Sequence, residues 1–166
     1  MSTSDVSSTT SAPTPGVQRG ERRLEVVVLP VSDVDRAKGF YQRLGWRLDA
    51  DFTAADGLRI VQVTPPGSQV SVSFGKKVSS AEPGSVQGLV LSVYDIEESR
   101  AELIAHGAEV CDVFHDQGGS FLHVGTEGRV PGRDPEGRSY GSWASFSDPD
   151  GNGWLLQEIK TRLPGR

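Results

Sequence analysis

The sequence predicts an α+β domain that consists of two tandem βαβββ modules. Three observations lead to this fold class. Short runs rich in β-branched residues alternate with helical patterns. Each helical pattern begins at an aspartate and ends at a glycine, and the whole arrangement occurs twice at a constant offset of 62 residues. An offset that holds across strand, helix start and final glycine indicates an internal duplication.

Composition and charge limit the function classes. The 166 residues carry a formal charge of -5 and an apolar fraction of 36%, which suits one domain with its own core. Cys111 is the single cysteine and cannot form an internal disulfide, which favours a reducing compartment and predicts a cytoplasmic protein. No run approaches the ~18 apolar residues of a membrane span. The acidic balance argues against nucleic acid as a partner.

The chain divides into a tail and one domain. Residues 1–22 are rich in Ser, Thr and Pro and nearly free of large apolar side chains, which predicts a disordered tail. We predict a single domain over residues 23–162, with module one at 24–80 and module two at 86–160.

Module one begins with a β-branched run at 24–31 that predicts a buried strand. Ser32 and Asp33 can cap a helix, and Gly45 suits the left-handed position that follows its last turn. Between them lies one apolar stripe of Phe40, Tyr41 and Leu44. Three strands are then predicted, at 46–52, 58–63 and 70–74.

Module two repeats this order. A strand is predicted at 88–93, Asp95 caps the second helix, and Gly107 ends it. Further strands are predicted at 109–114, 142–146 and 154–159. The glycine- and charge-rich stretch at 115–141 lacks apolar periodicity, and a loop of this length is usually functional or disordered.

Two motifs carry a resemblance to a known family. Val-Ser-Asp-Val-Asp-Arg-Ala-x-x-Phe-Tyr-x-x-Leu-Gly-Trp occupies residues 31–46, and Phe-Ser-Asp-Pro-Asp-Gly-Asn-Gly occupies residues 146–153. Over residues 24–159 the chain resembles the vicinal oxygen chelate superfamily. That group includes glyoxalase I, extradiol dioxygenases, fosfomycin-modifying enzymes and bleomycin-resistance proteins. The resemblance implies that the two modules form a curled mixed sheet around a cleft.

The resemblance also implies where a metal would bind. Chelating members use four inward-facing His, Glu or Gln side chains, two from each module. The first ligand position of each module falls on Val26 in module one and on Gly88 in module two. The second ligand position of module one falls in the strand at 70–74, whose only polar side chains are serines. Strict counting places the last position on Leu155. We therefore expect no metal ligands and no cofactor, and a divalent metal is the disfavoured alternative.

Several residues keep the metal alternative open. Glu25 neighbours Val26, although strand alternation points it to the opposite face. A shift of register in the last strand would replace Leu155 by Leu156, and a larger one by Gln157 or Glu158. A metal site in the loop is also conceivable from His115 and His123 with nearby acidic residues, but their spacing matches no established ligand pattern.

The favoured hypothesis is a metal-free protein that binds a small, partly apolar molecule in its cleft, because aromatic walls with a few polar groups suit such a ligand. The candidate ligand-binding residues are Ser71, Ser73, Phe74, His115, Trp143, Trp154 and Gln157.

Three alternatives remain. One is a glyoxalase-like lyase or isomerase, or a dioxygenase-like enzyme, with a non-standard metal site. Another is a metal-free enzyme in which His115 or Glu158 performs acid–base chemistry. The third is a partner-binding module with a vestigial cleft. An exposed sheet edge in each module is compatible with a homodimer.

Overall fold

The computed structural model describes residues 16–165. Most of the predicted tail, residues 1–15, therefore lies outside the described residues. Module one contains one helix and four strands: β1 (Val26–Val28), α1 (Val34–Arg43), β2 (Arg47–Thr53), β3 (Arg59–Thr64) and β4 (Ser71–Lys76). The strands form a sheet in the order β1-β4-β3-β2, here called sheet one, in which β1 runs parallel to β4 and the other pairs are antiparallel.

Module two contains one helix and five strands: β5 (Leu89–Val93), α2 (Ile96–Ala105), β6 (Phe114–Asp116), β7 (Arg129–Pro131), β8 (Ser142–Ser147) and β9 (Gly153–Glu158). Its strands form sheet two in the order β5-β9-β8-β6-β7, again with a parallel first pair, β5 and β9. Two mixed sheets, each with one helix, confirm the predicted α+β fold class.

Local sequence sets the helix ends as predicted. The Asp33 carboxylate accepts a hydrogen bond from the Arg36 backbone N–H at 2.9 Å, and that of Asp95 accepts from two backbone N–H groups of the following turn. After the helices, Gly45 and Gly107 have φ of 82° and 92°, a region that side chains disfavour. The duplicated Asp and Gly positions therefore act as helix start and stop signals.

Module two departs from the repeat in its middle. In sheet one, Val27 of β1 pairs with Val72 of β4. The offset of 62 residues places their counterparts at Leu89 and Asp134, but Leu89 pairs with Trp154 of β9. The last strand therefore lies 20 residues further along the chain than the repeat predicts. The extra residues form β7 and its flanking loops. The predicted strand at 109–114 is only an isolated bridge, between Val110 and Phe146, before β6 begins. Strands of three residues are too short to carry a recognisable apolar period.

One hydrophobic core joins the modules. Tyr41 of α1 and Trp154 of β9 lie with their ring centroids 6.2 Å apart, and Trp46 meets Trp154 edge-on at 5.1 Å. Val72 and Phe74 of β4 face this core. Because side chains alternate along a strand, Ser71 and Ser73 lie on the other face of sheet one, here called the open face.

The turn before β9 holds the two modules together. Its Asn152 side chain donates to the Pro30 carbonyl at 2.9 Å and to the Asp148 carboxylate at 2.8 Å. Among the described helices, neither combines the length and the apolar character that crossing a membrane requires.

Candidate functional site

A hollow of about 740 Å³ lies beside β8 and β9 of module two. We call it the main hollow. Its walls include Phe40 and Arg43 of α1, Gly88, Glu109, Cys111, Ser145 of β8, and Trp154 and Leu155 of β9. Val124, Thr126 and Arg129, from the loop between β6 and β7 and from β7 itself, add a further wall. The main hollow thus combines aromatic, aliphatic and charged groups from both modules.

The main hollow includes both positions at which the resemblance implies metal ligands in module two. Gly88 and Leu155 line it, and neither side chain can coordinate a metal. A Cβ atom at Gly88, where φ is +79°, would lie only 3.2 Å from a Val124 methyl group. The loop therefore occupies the space into which a ligating side chain at residue 88 would extend.

Module one carries no strong metal-ligating side chain at the implied positions. Val26 carries a hydrocarbon side chain and pairs with Ser71 on β4, whose serines are poor ligands for a divalent cation. Within residues 16–165, no group of three or more His, Cys, Asp or Glu side chains is arranged to hold a metal ion. The residues at the implied positions do not fit a chelated divalent metal.

The predicted binding residues lie in different parts of the molecule. Trp154 lines the main hollow, and its indole Nε1 donates to the Tyr41 hydroxyl at 3.1 Å. Phe74 is fully buried in the core, with its ring centroid 5.7 Å from that of Tyr41. Trp143 is also fully buried and packs in a smaller cluster with Phe114 and Leu155.

The loop after β6 holds Gln157 in place. Its side-chain Nε2 donates to the backbone carbonyls of Phe121 at 2.8 Å and Tyr140 at 3.1 Å. Gln157 also lines a smaller pocket of about 340 Å³ together with Ser92 of β5. A ligand that bound to Gln157 through its amide nitrogen would have to displace these contacts.

The remaining predicted residues lie outside the main hollow. Ser71 lines a pocket of about 480 Å³ on the open face, and its Oγ lies 2.7 Å from that of Thr64. Ser73 donates to the Gln62 side chain at 3.3 Å. On β6, His115 is half-buried, with its Nδ1 2.9 Å from the Gly132 carbonyl. A direct role of these residues in ligand binding stays a prediction.

Contacts to one carboxylate oxygen hold Glu158 in place, while its buried Oε1 has no hydrogen-bond partner among the described residues and lies 3.6 Å from Lys160 Nζ. Its Oε2 accepts from Arg133 at 2.6 Å and from the Ile96 backbone N–H at 3.0 Å. Burial acts to raise the pKa of Glu158, but these hydrogen bonds and the charge of Arg133 outweigh it and hold the pKa below its usual range. A carboxylate whose pKa is lowered in this way is a weak base, which disfavours it for acid–base chemistry.

Sequence reasoning missed a polar cluster on the wall of the main hollow. The Cys111 Sγ lies 3.1 Å from the Ser145 backbone nitrogen, 3.2 Å from its Oγ and 3.9 Å from Arg129 Nη1. Cys111 is half-buried, and its sulfur lies among these polar groups. No local motif marks this cluster, because a segment after α2, β7 and β8 each supply one member.

Comparison with protein families identifies the chain. The model of the Glyoxalase/Bleomycin resistance protein/Dioxygenase superfamily matches residues 23–156. The chain belongs to this superfamily. The match confirms the resemblance that the motifs at 31–46 and 146–153 carry.

Solved structures of other superfamily members share the fold. TnmS3, an antibiotic binding protein from Streptomyces sp. CB03234, is 29% identical, with 86% of this chain and 99% of that chain covered and a TM-score of 0.62. A glyoxalase/bleomycin resistance protein from the same organism is 31% identical, with coverage of 82% and 100% and a TM-score of 0.58. A superfamily member from Sphaerobacter thermophilus DSM 20745 is 27% identical, with coverage of 83% and 98% and a TM-score of 0.60. The search of curated proteins found no match.

Proposed function

We propose that the chain binds a small, partly apolar molecule in the main hollow, without a metal centre. The observation that carries this proposal is the hollow itself. Its volume of about 740 Å³ falls in the range of roughly 300–1,000 Å³ typical of small-molecule sites. Val124, which is 47% exposed, supplies apolar surface, with smaller contributions from Trp154, Phe40 and Leu155, while Arg129 and Ser145 supply polar groups.

The relatives favour binding as the activity. TnmS3 is an antibiotic binding protein, and 99% of its length is matched by this chain. We infer that this chain takes a ligand of similar kind, a drug-sized organic molecule. Because one fold hosts many chemistries, the hollow and its residues carry more weight in this proposal than the fold does.

A neutral aromatic probe tests the proposal. N-phenyl-1-naphthylamine gains fluorescence in apolar sites, and we expect saturable binding to the wild-type protein. Ser147 is exposed at the wall of the main hollow, so Ser147→Trp should fill part of the volume and weaken binding about tenfold. Ser80→Trp, at an exposed residue outside the walls of the hollow, is the matched control and should leave binding unchanged. Equal binding to all three proteins would count against the main hollow as the site.

Metal independence is tested on the same protein. Val26, Gly88 and Leu155 stand where chelating members have ligands, so we expect no stoichiometric metal in untagged protein by elemental analysis. Addition of Mn²⁺ or Zn²⁺, or of a chelator, should leave probe binding and the Tm unchanged. One bound equivalent of metal that raises the Tm would overturn this part of the proposal.

We also propose that two copies of the chain associate. Two separate surfaces expose large apolar side chains: Val26, Val28 and Phe52 on the open face, and Phe121, Leu122 and Val124 on the loop after β6. Apolar patches of this kind are typical of interaction sites, and a second copy supplies both surfaces at equal concentration. β1 is the edge strand of sheet one and borders the open face. An exposed edge strand is a surface to which another chain can bind, which further supports this assembly.

A further inference from the structure

Arg129 is held firmly against the wall of the main hollow. Its guanidinium carbon lies 4.0 Å from the centroid of the Phe114 ring, within the range of a cation–π contact. Its Nε donates to the Gly125 carbonyl at 2.9 Å, and its Nη1 donates to the Ser145 hydroxyl at 3.2 Å. These contacts fix the plane of the guanidinium without neutralising its charge.

The charge of Arg129 is uncompensated within the described chain. Four arginines there are half-buried. Three of them have carboxylate partners at 2.9 Å or less: Arg59 with Asp51, Arg100 with Asp112, and Arg133 with Glu158. Arg129 has no carboxylate oxygen within 4.0 Å among residues 16–165. A partly desolvated cation without a counter-ion is unfavourable, and an anion beside it would remove that cost.

The other charged groups on the walls leave room for an anion. Arg43 also lines the main hollow and has no carboxylate partner among the described residues. Asp148 is buried, and its oxygens accept hydrogen bonds from the Tyr41 hydroxyl and from Asn152. Glu109 is exposed, so water screens its charge. Arg43 and Glu109 are both exposed, so water screens both charges, and the half-buried charge of Arg129 is the one left without a counter-ion among the described residues.

We infer that the ligand of the main hollow carries an anionic group, a carboxylate, sulfonate or phosphate, and that Arg129 binds this group. The inference rests on the proposed function and deepens it by naming the ligand class. A guanidinium recognises such groups through pairs of N–H donors, and no described residue accepts a hydrogen bond from Nη2 of Arg129. The apolar wall that includes Val124 and Trp154 would then contact the rest of the ligand.

Two probes that differ only in charge test the inference. 8-Anilinonaphthalene-1-sulfonate and N-phenyl-1-naphthylamine share one aromatic skeleton, and only the first carries a sulfonate. We expect Arg129→Gln to weaken binding of the sulfonate about tenfold and to change binding of the neutral probe by less than about twofold. Arg22→Gln, at an exposed residue outside the main hollow, is the matched control and should change neither.

A measurement on the wild-type protein keeps the test independent of how well the variant folds. Salt screens a charge pair, so binding of the sulfonate should weaken several-fold between low salt and about 1 M NaCl, whereas binding of the neutral probe should not. If both probes bind with the same salt response and the same response to Arg129→Gln, the inference is overturned and the proposed function stands. If neither probe binds to the wild-type protein, both fail.

Discussion

At the scale of single residues, Tyr41 of the motif at 31–46 links the two modules by hydrogen bonds. It lies in α1 of module one, and its hydroxyl donates to the Asp148 carboxylate of module two at 2.9 Å while accepting from Trp154 Nε1 at 3.1 Å. Burial, followed by the charge of Asp148, raises the pKa of Tyr41, so the hydroxyl keeps its proton and remains a donor. One phenol oxygen of module one is therefore bonded to two side chains of module two.

Tyr41→Phe should destabilise the protein by about 1–3 kcal/mol. The substitution removes a donor to buried Asp148 and leaves the Trp154 N–H without its acceptor, while the ring packing is retained. The free energy of unfolding from urea titration measures the effect. Tyr94→Phe is the matched control because Tyr94 is 74% exposed. Equal unfolding midpoints for the two variants would show that the hydroxyl contributes nothing.

At the scale of elements, the loop between β6 and β7 distinguishes module two from module one. Asp116 organises its start, because one carboxylate oxygen accepts from the backbone N–H groups of Gly118 and Ser120 and the other lies 2.5 Å from His123 Nδ1. Further along the loop, Val124 covers Gly88. The loop thus forms a wall of the main hollow and depends on a single carboxylate near its origin.

Asp116→Ala should loosen this loop, with cleavage by chymotrypsin after Phe121 or Leu122 accelerated roughly tenfold. Asp112→Ala is the matched control, since that side chain is 96% exposed and bonds Arg100 outside the loop. Similar cleavage rates in the two variants would contradict an anchoring role for Asp116.

The same anchor predicts a pH dependence. The hydrogen bond with His123, together with the backbone N–H groups of Ser120 and Gly118, lowers the pKa of Asp116 in the folded state. The Asp116 carboxylate therefore contributes to loop stability at a pH above its unfolded-state pKa of about 3.9. This contribution is lost as the pH falls through the lower pKa that Asp116 has in the folded state. Amide protection factors in the loop, corrected for intrinsic exchange, should decrease in this acidic range and should be pH-independent in Asp116→Ala.

At the scale of the whole molecule, the two modules share a fold but present different surfaces. In module two the loop lies over Gly88 and Gln157, whereas in module one Val26 and Val28 remain 37% and 41% exposed on the open face. An edge strand beside an exposed apolar face is a surface that soluble proteins usually cover. This asymmetry is the physical reason for the proposed association of two copies.

Sedimentation velocity at micromolar concentrations should show a dimer of the wild-type chain. Phe52, on β2 of the open face, is 56% exposed, and Phe52→Glu should weaken association at least about tenfold by placing a charge in the interface. Ile104→Glu changes an apolar residue that is 43% exposed on α2 and belongs to neither surface, and it should leave the dimer intact. A wild-type chain that sediments as a monomer would refute the proposal.

How much could be predicted from sequence depends on whether the signal was local. The N-caps at Asp33 and Asp95, the terminal glycines at Gly45 and Gly107, and the turn before β9 follow from residue type and short spacing, and all are present in the structure. Strands β6 and β7 were missed because three residues cannot display a period.

The sequence alone therefore determined the duplicated α+β fold, the superfamily and the lack of metal-ligating side chains at Val26, Gly88 and Leu155. Only the tertiary structure decided which polar groups meet. Arg129, Ser145 and Cys111 are far apart along the chain and come together because the loop folds back over sheet two. Local patterns report backbone conformation and burial, whereas the chemistry of the main hollow arises from long-range contacts that no short pattern encodes.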